Sequence, residues 1–179
     1  KNNFSMKIKK ILGLKRDKIS LFSRKNFLRL DKNERVSDFT SKIINKIQLD
    51  SFDLTAYPET GKIYTELSKL NKLKKENFVL TAGSEFGIRM CFEYFCTNKK
   101  KKIITIEPTF GMVEVYSKLF NLKQVKINYD KRFRLNLNKL LNVINKNISL
   151  IILANPNSPT GTIIEENTII SILKKSKKL

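Results

Sequence analysis

A loop that combines prolines with short polar side chains, NPNSPTG at residues 155–161, carries the strongest chemical pattern in the sequence. Its two prolines stiffen the backbone, whereas Gly161 lets the chain turn as it leaves the loop. This rigidity is more than a simple turn requires. Because the loop follows an apolar run at residues 150–154, typical of a central parallel strand, its amide side chains are expected at the carboxyl end of a sheet. The pattern predicts a fixed polar contact with a bound ligand.

A second segment, TAGSE at residues 81–85, joins a short apolar run to a predicted helix. Gly83 permits a tight turn, so that the backbone N–H groups of Ser84 and Glu85 would face outward at the N-terminus of the helix. Free N–H groups and the helix dipole together favour phosphate binding. The competing interpretation is ordinary helix capping by the same residues.

A third segment, EPTFG at residues 107–111, follows the strand-like run at residues 103–106. The ring of Phe110 could lie over a flat heterocyclic ligand. Alternatively, Phe110 packs on the helix that follows it, as a hydrophobic staple. Under either interpretation the segment marks the point at which a strand passes into a helix.

The elements that would hold these three segments alternate between strand-like and helical patterns. Apolar runs predict strands at residues 78–81, 103–106, 125–127 and 150–154. Helical spacing of apolar residues predicts helices at residues 84–95, 111–120 and 136–144, and from residue 165 or 166 onward. The alternation predicts an α/β fold, in which a three-layer, mostly parallel sheet is covered by helices on both faces. The loops after Leu80, Ile106 and Ala154 are then expected to converge on one crevice.

The N-terminal third of the chain shows a weaker pattern. Residues 1–35 are predicted to form an extended or partly helical arm, and a short amphipathic helix is expected to begin near Asp38 or Ser41. A loop is expected at residues 50–59, followed by a helix whose apolar face carries Ile63, Leu67, Leu70 and Leu73.

The composition narrows the possible chemistry. There is no histidine, which excludes Ser–His and Cys–His nucleophilic pairs and His-bound zinc, and we expect no metal site. Cys91 and Cys96 are predicted to be small core residues in a reducing, cytoplasmic compartment. No apolar run is long enough to cross a bilayer.

The net charge of +20 points by itself to nucleic acid. However, the charge comes mostly from lysine, which is abundant together with asparagine and isoleucine, as AT-rich codon usage would produce. Arginine is scarce and no aromatic stripe accompanies the lysines. These observations count against nucleic-acid binding. A basic nucleic-acid-binding protein is kept as the alternative from another functional class because of the net charge alone.

Five segments occur in an order that resembles the class I and II aminotransferases, and most closely the histidinol-phosphate aminotransferase branch. They are LDKNE at residues 30–34, YPE at 57–59, AGSE at 82–85, EPTFGM at 107–112 and NPNSPTG at 155–161. The resemblance implies pyridoxal 5′-phosphate as cofactor, an aspartate aminotransferase-like fold and a homodimer. It further implies an arm and a small-domain or interface helix at residues 1–50, and the first half of the cofactor-binding large domain at residues 51–179.

The same resemblance implies roles for the cofactor-binding residues. Gly83, Ser84 and Glu85 would hold the cofactor phosphate, and Phe110, at a position usually occupied by tyrosine, would stack on the pyridine ring. The family has an asparagine before Pro-Thr-Gly to contact the phenolic oxygen of the ring. This chain has Ser158 at that position, so that either Asn157 or Ser158 would make the contact.

The resemblance also implies roles for residues in the N-terminal third of the chain, and for a residue that the chain does not include. Tyr57 would reach the cofactor phosphate of the partner subunit, and Asn33 and Glu34 would lie near the substrate. The substrates would be an amino donor and a 2-oxo acid or oxo-phosphate acceptor. The Schiff-base lysine of the family would lie beyond Leu179, so we expect this chain to be an inactive fragment. A threonine-phosphate decarboxylase-like enzyme is an alternative within the same family.

Overall fold

The computed structural model describes residues 24–30, 32, 34–96 and 102–178. These residues form two compact units that divide between Leu80 and Thr81. Among the described residues of the N-terminal unit, the helices are α1 (Ser41–Ile44), α2 (Ser51–Thr55) and α3 (Gly61–Asn71). The described part of this unit also contains two 3-10 turns, Arg24–Asn26 and Lys75–Asn77.

Helix α2 lies where the sequence pattern predicted a loop, and the prediction was wrong there because of a capping box. The Asp53 N–H donates to Asp50 Oδ1 at 2.9 Å, and the Asp50 N–H donates to Asp53 Oδ2 at 3.1 Å. Two otherwise unsatisfied backbone donors are thus paired, which stabilises a single helical turn.

The strand predicted at residues 78–81 is also wrong, since this segment is extended but pairs with no strand in the described part of the chain. A side chain takes the place of a ladder partner: the Leu80 N–H donates to the Tyr64 hydroxyl at 3.3 Å. Helix α3 ends at Asn71, so that Leu73, which was predicted to lie on its apolar face, falls outside it. Lys72 ends the helix in a left-handed conformation with φ of 53°.

The C-terminal unit alternates helices and strands, as the sequence predicted. Its elements are α4 (Ser84–Cys96), β1 (Lys102–Glu107), α5 (Gly111–Leu119), β2 (Lys123–Asn128), α6 (Leu137–Val143), β3 (Ile148–Ile152) and α7 (Glu166–Ser176). The strands form a parallel sheet in the order β2-β1-β3. Ile104 of β1 lies opposite Val125 of β2 and Ile151 of β3. The α/β class is therefore confirmed.

Alternation along β1 divides the core between the two faces of the sheet. Ile103 packs with Phe92, Val113 and Tyr116 of helices α4 and α5. Its neighbour Ile104 faces the other way and packs in a cluster with Ile127, Leu140, Ile144 and Ile172. Helices thus cover both faces, and full burial of each such side chain contributes about 1.5–3 kcal/mol.

Two details of the core differ from the sequence interpretation. The apolar run at residues 150–154 was expected to be a central strand, but the strand is Ile148–Ile152 and lies at an edge of the described sheet. The centre is β1 instead, whose four middle residues are buried. Cys96 is buried as expected, whereas Cys91 lies on the exposed side of α4. Within the described ranges, no helix has the length and apolar character needed to cross a membrane.

Candidate functional site

The loops that follow β1 and β3 leave the same edge of the sheet, because the two strands are parallel neighbours. Asn157, in the loop after β3, connects them. Its Nδ2 donates to the carbonyl oxygen of Pro108 at 2.9 Å, and its Oδ1 accepts from the Thr109 hydroxyl at 3.2 Å. The amide also donates to Thr160 Oγ1 at 2.8 Å, within its own loop. Asn157 is 3% exposed, so these bonds are shielded from water.

Backbone and side-chain bonds also fix the internal shape of residues 155–164. The Asn157 N–H donates to the Thr162 carbonyl at 2.8 Å, and the Gly161 N–H donates back to the Asn157 carbonyl at 2.7 Å. Asn155 exchanges two bonds with the backbone of Ile164, at 2.9 and 3.3 Å. Gly161 has φ of 69°, which favours glycine. The predicted rigid loop is therefore held by internal bonds as well as by its prolines.

Ser158 is the exception in this loop. It is exposed, and its hydroxyl makes no hydrogen bond to any residue that the structure describes. The polar side chain beside it, Asn157, uses both of its N–H donors within the protein, and its oxygen accepts one further hydrogen bond there. Of the two neighbouring residues, Ser158 is the one whose side chain is available to a ligand.

The turn before α4 has the conformation that the sequence predicted. Gly83 has φ of 81°, and its carbonyl accepts from the Thr81 hydroxyl at 2.9 Å. A Cβ at Gly83 would meet no atom within 4 Å, so space is open beside the turn. Ser84 and Glu85 begin the helix, and their N–H groups have no intrahelical acceptor because they lie in its first turn.

A hydrogen bond connects the start of α4 to α5. The buried Tyr116 hydroxyl donates to Glu85 Oε1 at 3.3 Å. Burial, followed by the negative charge of Glu85, raises the pKa of Tyr116 above its usual value, so that it stays a neutral donor. Phe110 stands at the N-cap of α5 and is 37% exposed, which leaves its ring accessible.

A charged cluster beside these loops was not anticipated from the sequence. Glu114 accepts from Gln124 Nε2 at 2.7 Å, Lys118 Nζ at 3.1 Å and Lys126 Nζ at 3.2 Å. The amide donor, and then the two lysines, lower the pKa of Glu114 to about 2 against an opposing effect of burial. Lys126 also lies 3.9 Å from Glu107 at the end of β1. Only the i,i+4 spacing of Glu114 and Lys118 was visible in the sequence.

The remaining predicted site residues belong to the N-terminal unit. Glu34 forms an ion pair with Arg24 and lies 4.0 Å from Arg29. Tyr57 is 97% exposed. Asn33 lies outside the described residues. The structure therefore gathers the predicted phosphate- and ring-binding residues in the C-terminal unit, and the predicted substrate residue Glu34 and Tyr57 in the other.

A parallel α/β sheet with ligand-accessible groups at its carboxyl edge defines a class of cofactor- or substrate-binding folds. The model of the family described as aminotransferase class I and II matches residues 25–179, and the chain belongs to this family. Membership implies pyridoxal phosphate as the cofactor.

Individual relatives are similar over most of the chain. The histidinol-phosphate aminotransferase of Bacteroides thetaiotaomicron is 32% identical over 68% of this chain, and that of Clostridium novyi is 32% identical over 82%. The crystal structure of the histidinol-phosphate aminotransferase from Clostridium acetobutylicum is 25% identical, with a TM-score of 0.59 over 70% of the chain. The chain spans 35% and 42% of the two curated relatives, and 36% of the solved chain.

Proposed function

We propose that this chain provides the phosphate- and ring-binding part of a pyridoxal-phosphate-dependent aminotransferase. The enzyme transfers an amino group between an amino acid and a 2-oxo acid or oxo-phosphate, and is of the histidinol-phosphate aminotransferase type. The observation that carries the proposal is the family match over residues 25–179. It is supported by the accessible polar and aromatic groups in the loops and helix starts of the C-terminal unit.

The described residues fit the chemistry of this cofactor. A phosphate dianion needs several donors and no bulky side chain close to them. The first-turn N–H groups of Ser84 and Glu85 supply such donors beside the open space at Gly83, and the dipole of the 13-residue helix α4 adds attraction. An aromatic heterocycle needs a flat apolar surface, and the accessible ring of Phe110 offers one.

When bound, the cofactor supplies an electron-withdrawing ring that stabilises negative charge developing on the substrate Cα. The residues of this chain bind and orient it. Ser84 and Glu85 hold the phosphate through their N–H groups, Phe110 shields one face of the ring from water, and Ser158 or Asn157 faces the ring hydroxyl. We assign no catalytic residue within the chain.

The proposal includes a cytoplasmic homodimer in which Tyr57 reaches the cofactor phosphate of the partner subunit. The almost complete exposure of Tyr57 supports this role, because its hydroxyl is available to another chain. Asn33 and Glu34 are proposed to lie near the substrate. Glu34 already pairs with the side chains of Arg24 and Arg29, which would orient its carboxylate.

The phosphate contact is tested by removing one backbone donor without removing the helix. Proline is tolerated at the first position of a helix and has no N–H, so Ser84→Pro deletes one donor. Glu166→Pro at the first position of α7 is the matched control. The probe is pyridoxine 5′-phosphate, which lacks the aldehyde and forms no adducts with surface lysines.

Titration followed by ligand fluorescence should show saturable binding to the unmodified chain and to Glu166→Pro. Ser84→Pro should bind about tenfold more weakly, since a hydrogen bond to a charged group contributes about 1.5–3 kcal/mol. Absence of saturable binding to the unmodified chain, or equal affinity in Ser84→Pro, would contradict the proposal. A single stoichiometric lysine adduct with pyridoxal phosphate, trapped by borohydride and located by mass spectrometry, would contradict the assignment of no catalytic residue.

A further inference from the structure

An asparagine side chain offers two N–H donors and one carbonyl oxygen with two acceptor lone pairs. In Asn157 both donors are used, by the Pro108 carbonyl at 2.9 Å and Thr160 Oγ1 at 2.8 Å. The acceptor is used by the Thr109 hydroxyl at 3.2 Å. Because Asn157 is 3% exposed and both of its donors are used, donating to a ligand would require breaking one of these bonds and leaving its partner unsatisfied in a buried place.

From this arrangement we infer that Asn157 is a positioning residue, and that the adjacent Ser158 makes the polar contact with the ring hydroxyl of the cofactor. The inference rests on the proposed function and assigns the two neighbouring residues different tasks. It extends that function because it also identifies Thr109 as the partner through which Asn157 acts on the loop after β1.

The contacts show what Asn157 positions. The Thr109 hydroxyl donates to the side-chain oxygen Oδ1 of Asn157. Thr109 is followed directly by Phe110, whose ring is proposed to cover the cofactor. On the other side, Asn157 is followed directly by Ser158. The Asn157 backbone is itself fixed by bonds to Thr162 and Gly161, at 2.8 and 2.7 Å. One buried side chain therefore sets the relative placement of the aromatic surface and the free hydroxyl.

The exposure of the two residues supports the division of tasks. Asn157 is buried with every polar group paired, whereas Ser158 is exposed and has no partner in the described part of the chain. A side chain that makes a ligand contact must keep a free donor, and of these two only Ser158 does.

Two measurements on the 179-residue chain with pyridoxine 5′-phosphate test the inference. The first is the affinity. The second is the pH profile of the ring hydroxyl of the bound ligand, followed by its absorbance. A donor directed at the ring oxygen stabilises the ionised hydroxyl and lowers its pKa. The affinity therefore reports positioning, whereas the pH profile reports which residue touches the oxygen.

Thr109→Val keeps the side-chain shape and removes only the hydroxyl that bonds to Asn157, so it tests the connection even if Asn157→Ala does not fold. We expect both variants to weaken binding, by about fivefold for Thr109→Val and about tenfold or more for Asn157→Ala. Ser158→Ala should move the pH profile of the bound ligand upward. Asn136→Ala, which removes the side-chain cap of α6, is the control and should leave both readouts unchanged.

The possible failures are distinct. If the unmodified chain does not bind the probe, the proposed function fails. If it binds, and Ser158→Ala has an unchanged pH profile or Thr109→Val an unchanged affinity, the proposed function stands and the inference is overturned. A double-mutant cycle between Thr109→Val and Asn157→Ala on the free energy of unfolding adds a readout that needs no ligand, and zero coupling also overturns the connection.

Discussion

The cluster around Glu114 makes stability depend on pH in a direction that the structure determines. Glu114 has a pKa of about 2 in place of its usual 4.5, through donors on Gln124, Lys118 and Lys126. A carboxylate whose pKa is lower in the folded state stabilises the fold above its unfolded pKa. That contribution is lost as the pH falls from about 4.5 through about 2.

The contribution of Glu114 to the free energy of unfolding follows from its pKa and from the exposure of its ion pairs. Lowering a pKa from 4.5 to about 2 is equivalent to about 3 kcal/mol of stabilisation if nothing screens it. The Glu114 side chain is 40% exposed and that of Lys126 is 47% exposed, and exposed pairs contribute only about 0–1 kcal/mol. Solvent screening therefore reduces the expected contribution to about 1 kcal/mol.

Glu114→Gln removes the charge and keeps an oxygen that can accept from Gln124. Urea unfolding followed by circular dichroism should show the variant less stable than the unmodified chain by about 1 kcal/mol at about pH 7, with the difference vanishing near pH 2. Glu66→Gln, which breaks one exposed ion pair with Lys69, is the control and should change stability by under about 0.5 kcal/mol. A difference between Glu114→Gln and the unmodified chain that does not shrink with falling pH would refute the reasoning.

Three further perturbations test the fold, all by urea unfolding. Phe92→Ala should destabilise the chain by about 3–5 kcal/mol, because Phe92 is fully buried against the rings of Tyr116 and Phe120. Its control, Phe95→Ala at a half-exposed site on the same helix, should cost less than about 1 kcal/mol. Gly83→Ala should cost about 1 kcal/mol through its left-handed conformation alone, and Gly111→Ala, which meets no atom within 4 Å and has no positive φ, should be neutral. Asn136→Ala should cost about 1 kcal/mol, since it removes the bond from the Lys139 N–H at 2.9 Å that caps α6.

Local patterns in the sequence predicted most of the C-terminal unit because its elements follow local rules. Apolar β1 and the helical spacing of α4 and α5 each require only a short window of residues. The strand prediction at residues 78–81 was wrong because an apolar run does not show whether a neighbouring strand exists to pair with it. Helix α2 was missed because a capping box with Asp at both positions lies outside the usual Ser/Thr and Glu/Gln pattern.

The sequence identified the loops that follow β1 and β3, but not the hydrogen-bond partners of the residues in them. The pattern NPNSPTG left Asn157 and Ser158 equivalent, because the partners that occupy Asn157 lie 48 and 49 residues earlier in the chain. No local window contains that information. The lowered pKa of Glu114 depends in the same way on Gln124 and Lys126, which become neighbours only after β2 pairs with β1.

The strand order β2-β1-β3 leaves two sheet edges within the described residues, and they differ in character. The β2 edge carries Lys123 and Lys126, whose charges discourage a second chain from pairing there. Strand β3, with the sequence ISLII, has no charge and borders an open apolar groove lined by Phe95, Ile169 and Leu173. No strand among the described residues pairs with the outer edge of β3, and an uncharged edge of this kind is a template for adding further strands. We therefore expect the edge that is suited to extend the sheet to promote aggregation as well, wherever no other segment covers it.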